Sequence, residues 1–357
     1  QVIEQFVRIS LVFILVKLLL PYGIAFAAGG AMLAVVIGEL VSLLYIFYCF
    51  KKDKNRPKNL FRRFSYLNLR KTFSDIIQIA LPTAGTRLIG SVTHFLEPIL
   101  VSQSLFIAGY TISQSTTLYG QLTGYVMPLL LLPTFITYSL SVALVPSISE
   151  FNALNHQVSV HFRIRQALRL SFASGGIVTV IFILYAYPLL HFVYNNVNGA
   201  SFLTFMAPFF LLLYFQAPLQ AALQALDFAK QAMYNSLIGS IVKLSTLWIL
   251  ATKPSFGIDG VVIAILVGIV VVTSLHFVTL YKMINFKLPF SLILKMVGLI
   301  FLIYQVGYLI NQYIIDEFTV FNLGGTIILL FVTYILGLFL FKIVTKEEWT
   351  QLKSRNY

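Results

Sequence analysis

The chain has 357 residues, of which 59% are hydrophobic and only 10% charged; soluble domains carry about a quarter charged residues, so a soluble globular domain is excluded. The mean hydropathy of +0.88 is that of an integral membrane protein. A net charge of +13 does not mark a nucleic-acid face here, because nine of the 25 basic residues are gathered in 51–71 and most others cap apolar runs.

The apolar runs are long enough to cross a bilayer as helices, at about 17 to 25 residues, and lack the alternation of membrane β-strands. The expected fold is therefore all-α and polytopic, with ten spans in chain order. The run 5–20 opens with Glu4 and Arg8 at i,i+4, an ion-pair spacing, and carries Lys17 near its far end. The run 24–50 holds Gly30, Gly38 and Glu39 and ends at Cys49, the single cysteine, so no intrachain disulfide can form. After the basic stretch 51–71 comes 78–105, which contains Arg87, His94 and Glu97. In 116–146, Pro128 and Pro133 predict a bend. The runs 171–193 and 201–226 follow, the second with Gln216, Gln220 and Gln224 at every fourth position. Lys243 sits in 234–252, and 258–281, 291–313 and 321–343 complete the set.

The first two runs are echoed about 230 residues later. Arg8, Pro21, Gly30 and Gly38 have Lys243, Pro254, Gly260 and Gly268 as counterparts, the glycines again eight apart. Repeated helix groups of this kind build transporters. The second copy of the pair is preceded by four runs, which makes a six-span unit, whereas only the last pair of the first unit is present. The chain starts with Gln and has no leader-like cleavage site, so the expectation is a longer protein of fourteen spans, with four upstream of residue 1. That protein would hold two parallel six-helix lobes plus two extra helices. The expected domains are 1–50 (end of the N-terminal lobe), 51–71 (basic cytoplasmic linker), 72–286 (C-terminal lobe) and 287–357 (two added helices and a tail).

Orientation follows from where the basic residues lie. With 51–71 cytoplasmic, alternating spans place Arg163, Arg165, Arg169, Lys230, Lys282, Lys287, Lys342, Lys346, Lys353 and Arg355 on the same side. The opposite loops carry Asp316, Glu317 and Lys253. Residue 1 and the C-terminus are then both cytoplasmic.

The segments QVIEQFVRI (1–9), GAMLAVVIGELVSLLY (30–45), IALPTAGTRLIGS (79–91), VALVPSISE (142–150) and QAPLQAALQALDFAKQAM (216–233) carry a resemblance to the MOP flippase superfamily, and within it to the polysaccharide-biosynthesis branch. The resemblance implies a bacterial cell-membrane flippase that works by alternating access. Its implied substrate is an undecaprenyl-diphosphate-linked sugar, such as a lipid II-like peptidoglycan precursor. Membrane lipids, and Na+ or H+ as coupling ion, are the implied partners. No cofactor, metal or nucleic acid is expected. The chain has no Walker A loop, DxD or HExxH motif, so an enzyme is not supported. The rivals are a multidrug or cation antiporter of the same superfamily, which needs a carboxylate-rich cavity, and a non-transporting scaffold for wall synthesis.

Ionisable groups within spans are costly in hydrocarbon and face a cavity or a partner, so they are the site candidates. Arg87 either lines a cavity, where its guanidinium holds a diphosphate, or locks two helices through a carboxylate. Arg8 and Lys243, as repeat counterparts, either present one cation per lobe to a doubly charged substrate or snorkel to headgroups. Glu97 and His94 share a helical stripe with Arg87; they either carry a proton or sodium ion or form a pair near the outer interface. Glu39 faces the cavity or a neighbouring helix. Gln216, Gln220 and Gln121 offer hydrogen bonds either to a sugar or between helices.

Overall fold

In hydrocarbon every backbone amide must bond within its own segment, so an apolar run of this length has the helix as its outlet. The computed structural model describes residues 2–52, 66–313 and 319–344, and each of the ten runs is helical in it. The helices are α1 (Val2–Leu19), α2 (Ile24–Lys52), α3 (Tyr66–Ile107), α4 (Ile112–Gln121), α5 (Met127–Leu131), α6 (Thr134–Ala153), α7 (Gln157–Tyr194), α8 (Ala200–Ala225), α9 (Ala229–Ala251), α10 (Gly257–Ile284), α11 (Phe290–Tyr313) and α12 (Val320–Leu340). The linker residues 53–65, Asp316 and Glu317 in the loop before α12, and Lys346, Lys353 and Arg355 in the tail lie outside the described residues.

Seven of these helices are long and apolar enough to cross a membrane, and eight if the bent rod Ile112–Leu131 plus Thr134–Ala153 counts as one span. Ten were expected from the sequence. The difference falls on α1, which carries Glu4, Arg8 and Lys17 within 18 residues, and on α3, where Thr, Ser, Gly and ionisable residues dilute the apolar ones. The chain is a multi-pass helical membrane protein.

The chain divides into two compact units, residues 1–73 and 74–357. In the first, α1 and α2 form a hairpin around the tight turn Leu20–Tyr22, closed by Gly23 N–H donating to Leu20 O at 3.0 Å. A Cβ placed on Gly38 would meet Glu4 O at 3.3 Å and Arg8 Cβ at 3.4 Å, and one on Gly30 would meet Leu15 Cβ at 3.3 Å. In the second unit, α9 and α10 repeat this register. A Cβ on Gly268 would lie 3.0 Å from Lys243 Cβ, and one on Gly260 would lie 2.8 Å from both Leu250 C and Ala251 N. Gly38 and Gly268 thus make room for the echoed cations, Gly30 and Gly260 for the facing helix further along, and the repeat read in the sequence is a repeat in packing.

The Gly260 contact is with backbone, which cannot rotate away. Gly260→Ala is expected to destabilise the protein by about 1–3 kcal/mol through overpacking. Gly298→Ala, where nothing approaches within 4 Å, is expected to leave stability unchanged or slightly raise it. Thermal unfolding of the two variants in detergent tests the contrast.

The second unit is organised on α7. Its consecutive glycines, Gly175 and Gly176, point to different sides and receive the rings of Tyr214 from α8 and Tyr334 from α12. Both tyrosines are fully buried, and each hydroxyl donates to a carbonyl on another helix: Tyr214 to Leu130 O at 2.8 Å and Tyr334 to Phe172 O at 2.9 Å. Tyr185 bonds Asn311 Oδ1 on α11 at 2.8 Å. These bonds satisfy polar groups that would be costly unpaired and tie α11 and α12 to α7. Tyr185 also leaves helical geometry (φ −121°, ψ 21°) three residues before Pro188, which lacks the amide that would bond back to this turn.

The predicted bend is present. Between α4 and α5 the chain widens into a π turn over Leu122–Val126, and beyond Leu131 the axis turns by 49° as α6 starts after Pro133.

Candidate functional site

One stripe from each of three helices lines a half-open cavity of about 730 Å3 in the second unit, within the size range of small-ligand sites. From α3 come Thr83, Thr86 and Arg87, from α6 Tyr138, Ser141, Val142, Val145 and Pro146, and from α8 Ala217, Gln220, Ala221 and Gln224. The spacings i, i+3, i+4 and i+7 within each set are those of a single helix face. Arg87 is the sole charged residue among these lining residues, and its side chain is exposed to the cavity space. No carboxylate among the described residues pairs with it. The remaining polar groups are the amides of Gln220 and Gln224 and the hydroxyls of Tyr138, Ser141 and the two threonines. Such a wall offers a bidentate cation for an anion and neutral hydrogen-bonding groups for a polar, uncharged moiety.

Gln216 has a different place. Its amide nitrogen donates to Ile269 O at 3.0 Å and to Thr273 Oγ1 at 2.9 Å on α10. Residues four apart drift about 40° round a helix, so a glutamine every fourth position does not stay on one face. Gln220 and Gln224 reach the cavity, while Gln216 joins α8 to α10. Gln121 ends α4 directly before the π turn and is not among the cavity-lining residues.

Four of the other charged candidates form two ion pairs. Arg8 Nη2 donates to Glu4 Oε1 at 2.7 Å within α1. Lys243 Nζ on α9 donates to Glu97 Oε2 on α3 at 2.5 Å, with the two side chains only 15% and 8% exposed. The repeat explains why the partners differ: the position corresponding to Glu4 in the second copy is Gly239, which packs against Val272. Lys243 therefore has no acceptor in its own helix one turn back. α3 supplies one, in Glu97. His94 lies 3.9 Å from Glu97 but is 79% exposed, so it flanks the pair from outside. Glu39 is exposed on α2.

Sequence reasoning missed Tyr138, Ser141, Thr83 and Thr86. Their signal was the same helical spacing, visible on α6 as hydroxyls at 138 and 141 in an apolar run that ends against Pro146.

Long helices gathered round an inter-helical cavity define the class, a helical membrane carrier. Residues 1–152 match the family model described as polysaccharide biosynthesis protein, and residues 121–249 match the MatE model. Stage V sporulation protein B of Bacillus subtilis (strain 168) is 46% identical over 353 residues, which is 98% of this chain and 67% of that protein. Lipid II flippase MurJ of the same organism is 25% identical over 264 residues, 68% of this chain and 47% of that one. Among solved structures, lipid II flippase MurJ in an inward closed conformation matches with a TM-score of 0.64 at 17% identity, over 92% of this chain and 65% of that chain. A MATE protein in a bent conformation matches with a TM-score of 0.62 at 17% identity, over 80% and 60%. The chain belongs to the MOP flippase superfamily, in its polysaccharide-biosynthesis branch. It spans about half to two thirds of the length of these relatives. Proteins of this superfamily are transporters and flippases rather than enzymes.

Proposed function

We propose that the protein is a flippase for a polyprenyl-diphosphate-linked sugar, a wall precursor, carried from the cytoplasmic to the outer leaflet by alternating access. The observation that carries this reading is the cavity between α3, α6 and α8, where Arg87 is the single charged lining residue and Gln220 and Gln224 line the same space. A cation with a planar fork suits a diphosphate, and amides suit a sugar. The 46% identity to a sporulation protein and the similarity to a lipid II flippase support the same substrate class, with spore-wall synthesis as its setting.

In this reading the whole protein has fourteen spans in two parallel lobes. Residues 1–50 end the first lobe, 51–71 link the lobes on the cytoplasmic side, 72–286 form the second lobe, and 287–357 add two helices and a cytoplasmic tail. Arg8 and Lys243 are corresponding cations of the two lobes. Glu97 couples translocation to Na+ or H+ through its exchangeable bond to Lys243, with His94 at the entrance and Glu39 as a further ionisable group.

The antiporter reading has one observation in its favour, the buried carboxylate of Glu97 beside a chain segment that matches the MatE model. An organic cation, however, would meet Arg87 in the cavity. The test is reconstitution of the full-length protein into vesicles with a fluorescent lipid-linked disaccharide diphosphate, following its accessibility from outside. Protein-dependent exposure of the precursor is the expected result. Transport of organic cations with no movement of the lipid would overturn the proposal.

A further inference from the structure

We propose that Tyr138 on α6 is the platform on which the cavity recognises the sugar of its lipid-linked substrate, an assignment that rests on the flippase function proposed above. Tyr138 is the single aromatic residue among those lining the cavity, and it is 58% exposed there. The hydroxyls of Tyr185, Tyr214 and Tyr334 each donate to an acceptor on another helix. That of Tyr138 has no such partner among the described residues.

Its depth makes an unpartnered hydroxyl costly. Tyrosines of membrane helices collect at the two interfaces, where the ring is in apolar surroundings and the hydroxyl is wet. Tyr138 instead stands in an uncharged stretch that runs from Ile112 to Glu150. Glu150 is twelve positions further along α6, about 18 Å at 1.5 Å per residue. A phenol at that level finds its polar partner in what fills the cavity.

The neighbouring groups select the chemistry of that occupant. Ser141 Oγ, one turn from Tyr138, donates to Thr137 O at 2.6 Å, and Thr86 Oγ1 donates to Pro82 O at 3.0 Å. Both hydroxyl protons are committed within their own helices, so only lone pairs remain for a ligand. The bridging and terminal oxygens of a diphosphate are acceptors and gain nothing from lone pairs, whereas the hydroxyls of a sugar can donate to them. Gln220 and Gln224 add amides that both donate and accept, while Arg87 has donors alone, for the anion. Ala217 and Ala221 line α8 with methyl groups only, which keeps width for a ring. A pyranose offers a face of C–H bonds that packs on an aromatic face while its hydroxyls reach the rim.

The experiment measures binding of two probes to the full-length protein in detergent: a short-chain polyprenyl diphosphate, bare and carrying a disaccharide. The wild type should bind the sugar-bearing lipid about tenfold more tightly, the worth of one packed ring and one hydrogen bond. Tyr138→Leu should weaken that lipid by about three- to tenfold and leave affinity for the bare diphosphate as it was. Tyr138→Phe, which keeps the ring and loses the hydroxyl, should fall between. Arg87→Ala should weaken both probes alike. Should Tyr138→Leu fail to fold, the wild-type ratio still decides. Equal wild-type affinity for the two probes, or a folded Tyr138→Leu protein that loses both alike or neither, would overturn the assignment of Tyr138 while the Arg87 site stands. Wild-type protein that binds neither probe would overturn the flippase reading as well.

Discussion

Arg87→Ala is expected to reduce binding and translocation of a lipid-linked diphosphate by about 10- to 100-fold, because a charge-assisted hydrogen bond is worth about 1.5–3 kcal/mol and the guanidinium supplies two in parallel. Stability should not follow. The side chain is exposed to the cavity and pairs with no carboxylate among the described residues, so its truncation leaves no buried anion orphaned. Arg87→Lys keeps the charge but loses the planar fork, and should fall between wild type and Ala. A helix-locking arginine gives the reverse pattern, a large loss of thermal stability that carries activity down with it. Measuring unfolding temperature and leaflet accessibility on the same preparations separates the two. Translocation at the wild-type rate in a folded Arg87→Ala protein would refute the cationic-cavity reading.

The elements that the bilayer dictates were legible in the sequence. Apolar length gave ten helical runs, and Pro133 gave the bend before α6, because backbone satisfaction in hydrocarbon and the missing proline amide are local constraints. The echo of Arg8 and Gly38 in Lys243 and Gly268 was legible too, since both members of each contact recur at fixed spacing. Partner choice was not. Glu97 and Lys243 are 146 positions apart, and spacing along α3 suggested only His94, three residues away and mostly exposed. What separates the two copies is the glycine that stands at position 239 where the first copy has a glutamate, and the nearness of α3 to α9, which no spacing along either helix reveals. Gln216 was read with Gln220 and Gln224 because a period of four looks like one face, whereas 3.6 residues per turn rotates it towards Thr273.

The Glu97–Lys243 pair is where stability and coupling can be separated. Both side chains are largely buried, so removing one leaves the other uncompensated. Lys243→Met and Glu97→Gln are each expected to cost about 3–5 kcal/mol. The double variant should recover most of that loss, since two neutral side chains of similar volume need no counter-charge. The expected coupling energy from the double-mutant cycle is therefore large, above the few tenths seen between independent sites. His94→Ala, at an exposed position, should change stability little. For function the expectation differs: the double variant stays folded but loses the dependence of translocation on a Na+ or H+ gradient, because no carboxylate remains at position 97 to take up the ion. Exchanging the charges, with Glu97→Lys and Lys243→Glu together, restores the pair but moves the carboxylate from α3 to α9. Gradient dependence that persists in the neutral double variant would reduce the pair to a structural clamp and leave Arg87 as the cavity's one charged determinant.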